Sequence, residues 1–510
     1  MTPLIAGLLK PEAYPHPTDV PRLIETHISW VILAGDFAYK IKKPLDLGFL
    51  DFSSLEKRRH FCDEEIRINA RLAPDIYLAV VPIAGEPEEP RMDGSGPVLE
   101  WAVKMRAFPA DATLDRETEI TAEQIDAIAD RIAAFHETIA SAPAESAYGR
   151  PEAVIEPVAV NFAQLRQLLP LAASERIKTL LDTLQAWSQT EGERLAPHFA
   201  ARKANGFIRE CHGDLHLGNI AWVDGAPLIF DALEFNPALR HIDVISEIAF
   251  LVMDLRHRGR SELAWRLLNR YLEQTGDIDG LAALPYYQVY RAMVRAKVAA
   301  ILASSTSKDF SECLTYLELA NRLAHDRRPA LVLMHGVSGS GKTWLSQHLL
   351  EQLGGIRLRS DVARKRLFGL KPLQDSSAIP GGIYTQDASA RTLAALLEAA
   401  RSSLAAGCLT IVDATFIQRT WRAPFQALAE AVGVAWQIVA IEAPSDVLQA
   451  RIAQRQQSGA DASEANLSVL ASQLAHLEPF SSEENAHVLH LGSGWTVADS
   501  ISQLRAALNT

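Results

Sequence analysis

Apolar and polar residues alternate with two different periods along the first part of the chain. Residues 28–43 (ISWVILAGDFAYKIKK) contain an apolar run, a Gly-Asp turn and a second run that stops at Pro44, which predicts a β-hairpin. From residue 54 to residue 72 the apolar positions recur at helical spacing, and Pro74 ends the pattern. A helix is therefore predicted there, and a further strand is predicted at 98–109.

Helical periodicity then dominates up to residue 304. The segment 121–140 begins with a capping box formed by Thr121 and Gln124, which marks a helix N-terminus. A short buried strand is predicted at 228–231 (LIFD). Further helical segments are predicted at 161–200, 244–255, 262–275 and 285–304.

Beyond residue 330, short apolar runs alternate with helical segments. These runs predict buried strands at 330–335, 356–361, 409–415, 434–442 and 487–491. Strands that alternate with helices predict an α/β domain with a five-stranded parallel sheet covered on both faces. Residues 305–329 are rich in charge and hydroxyl groups and predict a partly helical connector. We therefore expect a domain at 1–304, the connector, and a second domain at 330–510.

Composition narrows the possible partners. The chain has 510 residues, and its 48% hydrophobic content suffices for sizeable cores. Its net charge of -12 disfavours nucleic acid and anionic membranes, although a local basic cleft can still bind phosphate. No leader or bilayer-spanning run is recognised, and the cysteines lack CxxC spacing, which favours a cytoplasmic protein with reduced thiols. The sequence leaves the oligomeric state open.

The segment 212–219 (HGDLHLGN) carries the first candidate chemistry. It sets Asp214 and Asn219 five residues apart between two predicted strands. In kinases the Asp of such a loop orients or deprotonates the acceptor hydroxyl, and the Asn holds Mg²⁺. Asp231, at the end of the LIFD strand, is expected to be a second metal ligand, because hard oxygen ligands suit Mg²⁺. The alternatives are a polar turn with an Asx cap, or a zinc site at His212 and His216, for which no third ligand is nearby.

These residues resemble the aminoglycoside phosphotransferase and choline kinase type of small-molecule kinase, which shares the eukaryotic protein-kinase fold. The resemblance implies an α+β protein-kinase-like fold for the first domain. It also implies Asp214 as the catalytic base, Asn219 and Asp231 as metal ligands, and His212 as a brace of the loop. By the same resemblance, Asp243 at the start of the next helix braces the catalytic loop.

The hairpin supplies two lysines, Lys40 and Lys42, on one face of its second strand. The resemblance implies that one of them reaches the α- and β-phosphates of ATP, and AYKI matches the kinase strand best at Lys40. Glu65 is then expected to orient Lys40, with Glu64 as the competing assignment. The backbone of residues 105–108 would meet adenine. Two solvated lysines on an edge strand are the alternative, and the chain lacks the Gly-rich loop of protein kinases.

The second phosphate-binding candidate is the segment 336–343 (GVSGSGKT), a complete P-loop between a predicted strand and a predicted helix at 342–353. Its glycines let backbone N–H groups converge on phosphates at a helix N-terminus. Lys342 is expected to reach the β- and γ-phosphates, and Thr343 to hold Mg²⁺. The nucleotide-binding candidates of the loop are Gly336, Gly339, Ser340, Gly341, Lys342 and Thr343.

The second domain resembles the P-loop kinases of the gluconate kinase, polynucleotide 5′-hydroxyl kinase and zeta-toxin group. The resemblance implies Asp361, at the tip of the second strand, as the base for an acceptor hydroxyl, and Arg364 as a substrate contact. Arg451 and Arg455, four residues apart on one helix face, would clamp the transferring phosphate. Asp413 would help to hold metal-bound water, or alternatively only cap the turn that follows its strand.

Taken together, the motifs predict a bifunctional kinase that uses ATP and Mg²⁺ to phosphorylate hydroxyl groups of small molecules such as sugars or related metabolites. The order of the domains matches bacterial fusions of a phosphotransferase-like domain with a P-loop kinase. Two other readings remain. In one, the P-loop domain is a nucleic-acid 5′-hydroxyl kinase, and in the other the first domain is a nucleotide-sensing pseudokinase that regulates the second.

Overall fold

The computed structural model of the chain describes residues 2–48, 50–169, 175–305, 309–458, 462–492 and 495–508. Contacts between Cα atoms divide the chain into two compact units. The first unit comprises Met1–Ala127, Ala134–Val154 and Phe199–Leu251. The second unit comprises Ile128–Ala133, Ile155–His198 and Val252–Thr510. Among the helices in the described ranges, none combines the length and apolar character that crossing a bilayer requires.

The first unit contains an antiparallel six-stranded sheet in the order β1-β2-β3-β6-β4-β5. Its strands are β1 (Arg22–Glu25), β2 (Ser29–Ala34), β3 (Phe37–Lys42), β4 (Tyr77–Glu86), β5 (Glu89–Met92) and β6 (Val98–Arg106). The predicted hairpin is confirmed as β2 and β3, and Gly35 turns the chain with a φ of 59°. Because β3 is an inner strand, the alternative of solvated lysines on an edge strand is excluded.

The helices of the first unit, or shared between the units, include three that begin at predicted signals, near residues 54, 121 and 244. In chain order, the helices are α1 (Pro3–Leu8), α2 (Leu55–Asn69), α3 (Ala122–Thr138), α4 (Pro151–Leu168), α5 (Glu175–Ala204), α6 (Pro237–Arg240) and α7 (Val244–His257). The segment predicted at 161–200 falls on two helices instead of one, and the first and sixth helices were not predicted. Ser54 caps α2 by accepting from the N–H of Lys57, and the capping box of Thr121 and Gln124 is present on α3. Helix α2 buries Cys62 against Val103, and Glu65 on the buried face of the helix contacts Lys40 and Lys42 of β3.

Four short strands frame the segment 212–219. They are β7 (Ile208–Glu210), which pairs with β10 (His241–Asp243), and the hairpin of β8 (Ile220–Val223) and β9 (Ala226–Ile229). The strand predicted at 228–231 is misplaced, because β9 ends at Ile229. Asp231 has a φ of 64°, a left-handed conformation that interrupts a strand and turns the chain toward the catalytic loop.

The second unit contains the predicted five-stranded parallel sheet, in the order β12-β13-β11-β14-β15. The strands are β11 (Ala330–His335), β12 (Gly355–Arg359), β13 (Leu409–Asp413), β14 (Ala435–Ile441) and β15 (Val488–Leu491). All six residues of β11 are buried, as expected of a strand covered on both faces. Strand β12 is shorter than predicted, since Ser360 and Asp361 already belong to the next helix.

The helices that follow residue 260 belong to the same compact unit as this sheet. They are α8 (Ser261–Thr275), α9 (Leu284–Ser305), α10 (Ser311–His325), α11 (Lys342–Leu349), α12 (Ser360–Leu367), α13 (Gln386–Ala405), α14 (Arg419–Val432), α15 (Ser445–Ser458), α16 (Leu467–Ala475), α17 (Ser482–Asn485) and α18 (Val497–Leu508). The helix predicted at 342–353 ends its α-helical part at Leu349 and continues as a π turn.

Most of the predicted connector is helix α10, whose Leu317 and Ala320 are fully buried. Apolar residues at helical spacing therefore outweigh the charge of this segment. The compact units do not divide at 305–329, because helices α8 to α10 group with the P-loop sheet. A separation of the chain at 305–329 stays a prediction.

Candidate active sites

The candidate catalytic loop of the first unit, residues 212–219, is fixed by hydrogen bonds of a neutral histidine. The N–H of Asp214 donates to Nδ1 of His212 at 3.3 Å, so Nε2 carries the proton and donates to the carbonyl of Phe230 at 2.8 Å. Burial lowers the pKa of His212, which keeps the ring neutral. His212 therefore joins the loop to the residue before Asp231, as the brace inferred from the sequence should.

The structure places Asp214 and Asn219 together. The Asn219 side-chain amide donates to the main-chain carbonyl of Asp214 at 2.9 Å and lies 3.3 Å from its carboxylate. The side chain of Asp214 is 35% exposed, whereas Asn219 is buried. His216 accepts the N–H of Gly218 on Nδ1 and directs Nε2 toward Asp214 at 3.5 Å. An acceptor could thus reach Asp214, while the other groups fix its position.

A chain of buried charges leads from β3 to Asp231. The ammonium group of Lys40 lies 2.7 Å from Glu65 and 2.6 Å from Asp231. The second oxygen of Glu65 lies 2.7 Å from Lys42, which also bonds Glu234. Both lysines therefore contact Glu65, and it is Lys40 that also reaches Asp231.

Burial alone would raise the pKa of Glu65, but Lys40 and Lys42 outweigh it and lower that pKa to about 2. Burial disfavours the charged form of Lys40, but Asp231 and Glu65 raise its pKa well above the usual value. The competing glutamate, Glu64, binds Arg67 and Arg240 instead. The geometry thus supports Glu65 rather than Glu64 as the partner of the lysines.

Helix α7 provides a residue that sequence reasoning missed. Glu247 accepts the backbone N–H of Gly213 at 2.8 Å and lies 2.6 Å from Nε2 of His136. Asp243, to which the resemblance assigned the bracing of this loop, instead binds Arg202 through both carboxylate oxygens at 2.6 and 2.7 Å. The brace is therefore Glu247, one helical turn further along the chain. A glutamate within the mostly apolar stretch 244–253 was the available signal.

In the segment after β6, where adenine was expected to bind, part of the backbone already forms hydrogen bonds within the protein. The N–H of Arg106 donates to Ile76 and that of Ala107 donates to Asp36, both at 2.9 Å. Phe108 packs edge-on against Phe230, with ring centroids 5.0 Å apart. Contact with adenine stays a prediction.

The P-loop of the second unit has the conformation that its glycines predict. Gly336, Gly339 and Gly341 all have positive φ, and a Cβ on Gly336 would lie 2.7 Å from the carbonyl of Ile441. Lys342 is buried and donates to the carbonyl of Val337 at 2.9 Å. Helix α11 begins at Lys342, so its N-terminus faces the loop, where phosphates bind favourably.

This loop opens into a cavity of about 900 Å³, within the size range of small-molecule sites. Thr343, Asp361, Arg364, Asp413 and Arg451 all line it, so the structure brings together the candidates that lie far apart in sequence. Asp361 lies in the first turn of α12 rather than at a strand tip.

The cations around this cavity are held by defined contacts. Arg451 donates to the carbonyls of Gly339 and Ser340 at 3.2 and 3.1 Å. Arg364 donates to Ser389 at 3.2 Å, and its guanidinium lies 5.0 Å from the ring centroid of Tyr384. The side chain of Arg455 lies outside the part of the chain that the structure describes, and so do residues 459–461 beyond it.

Further residues of the cavity were not anticipated. Gln473 of α16 accepts the N–H of Ser338 in the phosphate loop at 2.7 Å. Arg359, Tyr384 and Trp421 also line the cavity. An arginine directly before Ser360-Asp361 was a usable sequence signal, whereas the lone Gln473 offered none.

The fold and the two sites define the class of protein as one that combines a part with the protein-kinase-like set of Lys, Glu, Asp and Asn side chains and a part with a P-loop. Residues 331–480 match the family described as AAA domain. The chain is 31% identical over 474 residues to uncharacterized proteins of Mycobacterium tuberculosis (strain H37Rv) and Mycobacterium bovis, covering 90% of this chain and 92% of each relative. The chain belongs to the family of these mycobacterial proteins.

Two solved structures match separate parts of the chain. A gluconokinase from Sinorhizobium meliloti 1021 is 22% identical and covers 36% of this chain and 93% of its own, with a TM-score of 0.26. A choline kinase from Cryptosporidium parvum Iowa II is 11% identical and covers 60% of this chain and 89% of its own, with a TM-score of 0.39.

Proposed function

We propose that this chain is a bifunctional kinase that transfers phosphoryl groups from ATP to hydroxyl groups of small molecules at two separate sites. The observation that carries the proposal is that each site has its own complete set of groups. Lys40, Glu65 and Asp231 lie beside the Asp214 loop in one. In the other, the P-loop and Asp361 line one cavity.

At the first site, Asp214 accepts the proton of the acceptor hydroxyl while the hydroxyl oxygen forms a bond to the γ-phosphorus of ATP. The bond between the γ-phosphorus and the β,γ-bridging oxygen breaks, and ADP leaves. Asn219 fixes Asp214, and Lys40 neutralises charge on the α- and β-phosphates. Mg²⁺ fits this site, because Asn219 and the 47%-exposed side chain of Asp231 offer hard oxygen ligands. When bound, Mg²⁺ neutralises charge on the phosphates.

At the second site, Lys342 neutralises the β- and γ-phosphates, and Asp361 accepts the proton of a second acceptor. Thr343 and the buried Asp413 are the groups that would hold Mg²⁺ and its water there. Arg451 and Arg455 clamp the transferring phosphate. Aromatic and polar side chains line the acceptor side, which suits a sugar or a related metabolite: Tyr384, Gln386, Ser389 and Trp421.

The test is calorimetric titration of the full chain with a non-hydrolysable ATP analogue, followed by assays with a panel of sugars and polyols. Each chain is expected to bind two nucleotides, and Lys342→Ala is expected to remove one of them and the activity of the second site. A single nucleotide that disappears in Lys342→Ala would contradict the proposal. It would support the alternative of a P-loop kinase regulated by a nucleotide-sensing pseudokinase.

A further inference from the structure

Within the second unit, helix α8 covers the edge strand β12 of the P-loop sheet. The Asn269 side chain donates to the carbonyl of Gly355 at 2.8 Å and accepts the N–H of Arg357 at 2.7 Å. An edge strand otherwise exposes such backbone groups. Asn269 is buried, and its side chain forms with β12 the hydrogen bonds that a neighbouring strand would otherwise form.

Both ends of α8 are attached to the elements that carry the acceptor side of the cavity. Trp265 packs against the core of the sheet and lies so close to Gly354 that a Cβ there would be 2.5 Å from its Nε1. At the other end, Arg366 of α12 donates to the carbonyls of Leu272 and Glu273 at 3.4 and 2.8 Å. A cation at a helix C-terminus is favourable, so α8 also holds the helix that carries Asp361.

Glu273 connects α8 to the cavity itself. Its carboxylate lies 2.7 Å from Nη2 of Arg357 and 3.7 Å from Nη1 of Arg359. Burial alone would raise the pKa of Glu273, but the charges of these arginines lower it, so the carboxylate stays ionised. Arg359 lines the cavity with a side chain that is 12% exposed, and its Nε lies 3.9 Å from Asp413.

We propose that Arg359 is an anion-binding residue of the P-loop site and that Glu273 positions the side chain of Arg359. Helix α8, which carries Glu273, therefore contributes to that site. The ligand chemistry is an anionic oxygen, either of the γ-phosphoryl group or of an acidic acceptor. A guanidinium suits both, because it presents N–H donors in a planar fork and stays charged. This inference rests on the proposed function of the second site.

The test uses the full chain and follows the nucleotide-binding component that Lys342→Ala removes. Mg·AMP-PNP is compared with Mg·ADP, and inorganic phosphate and gluconate are then titrated into the ADP-loaded protein. Arg359→Gln is expected to lower the affinity about tenfold in one of these two measurements, either for Mg·AMP-PNP or for the added anions, because a charge-assisted hydrogen bond is lost. A loss confined to AMP-PNP identifies the γ-phosphoryl group, and a loss confined to the added anions identifies the acceptor.

Glu273→Gln is expected to reproduce that loss, and the double variant Glu273→Gln/Arg359→Gln to bind no worse than Arg359→Gln alone. The matched control is Glu351→Gln, which removes the 2.8 Å pair with Arg266 of the same helix and should leave both affinities unchanged. Rescue of the lost affinity by Arg359→Lys, which keeps the charge, would separate anion binding from a structural role.

Unchanged affinities in Arg359→Gln would overturn the assignment of Arg359, and additive losses in the double variant would overturn that of Glu273. If Glu273→Gln does not fold, Arg359→Gln and Arg359→Lys still decide whether Arg359 binds the anion. If the wild-type protein shows no nucleotide binding that Lys342→Ala removes, the proposed function of the whole site is contradicted instead.

Discussion

The carboxylate of Glu247 accepts a hydrogen bond from the backbone N–H of Gly213, at 2.8 Å. Its other oxygen lies 2.6 Å from His136, and both side chains are buried. Helix α7 is thereby tied to the catalytic loop one residue before Asp214. Gly213 has a φ of 88°, so this contact holds a backbone conformation that favours glycine.

Glu247→Ala should lower turnover at the first site by about 10- to 100-fold, because it frees the loop that positions Asp214. Nucleotide binding should change little, since Glu247 is not among the phosphate-binding candidates. Steady-state kinetics with separate kcat and KM values would check this. The second site, measured in the same preparation, serves as the control, and equal losses at both sites would indicate general unfolding.

Replacing Lys42 should mainly lower the stability of the protein, whereas replacing Lys40 should mainly lower its affinity for ATP. Lys42→Met leaves Glu65 and Glu234 buried without their shared cation, which should destabilise the protein by about 3–5 kcal/mol. Lys40→Met should mainly weaken ATP binding, because Lys40 faces Asp231 at the cleft. Urea denaturation and nucleotide titration on both variants separate the two effects. Lys43→Met, which loses a pair with the exposed Glu25, is the control and should lower the stability less than Lys42→Met does.

Asp214→Asn should abolish phosphotransfer at the first site while ATP still binds, because the change removes the base and keeps the shape. Asn219→Ala and Asp231→Ala should instead weaken Mg²⁺-dependent nucleotide binding, since they remove oxygen ligands. Turnover and binding are measured with and without Mg²⁺. Unchanged turnover of Asp214→Asn on a true acceptor would show that another group is the base.

Asp361→Asn should likewise abolish transfer at the second site and spare nucleotide binding, because Asp361 is proposed as the base for the acceptor hydroxyl and not as a phosphate contact. Lys342→Ala should lose both, since a phosphate-clamping charge is worth several kcal/mol in the transition state. Titration with the ATP analogue distinguishes the two variants. Loss of binding in Asp361→Asn would place this residue with the phosphates instead.

His335, which ends β11, should make the second unit sensitive to mild acid. Burial, aided by the charges of Arg422 and Lys342, lowers the pKa of His335 to about 4. A histidine whose folded-state pKa is depressed contributes stability above its unfolded pKa and loses it as the pH falls. Between pH 6.5 and 5 this loss amounts to about 2 kcal/mol. Thermal unfolding across that range should show a shallower pH dependence in His335→Gln, and an unchanged slope would contradict the assignment.

Limited proteolysis should first cut within 305–329, the predicted boundary. Asn269 bonds the backbone of β12 on the far side of that boundary, so the two fragments should stay associated until denaturant is added. Size-exclusion chromatography of the cleaved protein checks this. Earliest cuts inside 330–490 would show the boundary to be wrong.

The sequence alone determined the features whose geometry is local. The P-loop consists of eight contiguous residues between β11 and α11, and its glycines have the positive φ that the loop requires. The alternation of strands and helices predicted the parallel sheet, and its five strands are confirmed. Asp214 and Asn219 were also predictable as a pair, because five residues of loop keep them within hydrogen-bonding distance.

Only the tertiary structure decided which charges meet across long separations in the chain. Lys42 and Glu234 are 192 residues apart, and Glu273 and Arg357 are 84 apart, so no local pattern links them. Sequence preferred Lys40 over Lys42, and the fold brings both to Glu65 because they share one face of β3. The resemblance implied Asp243 as the brace, whereas the contact that Glu247 makes with Gly213 depends on how helix α7 packs against the loop. Burial of a charge depends on packing from several elements at once, and that packing exists only in the folded chain.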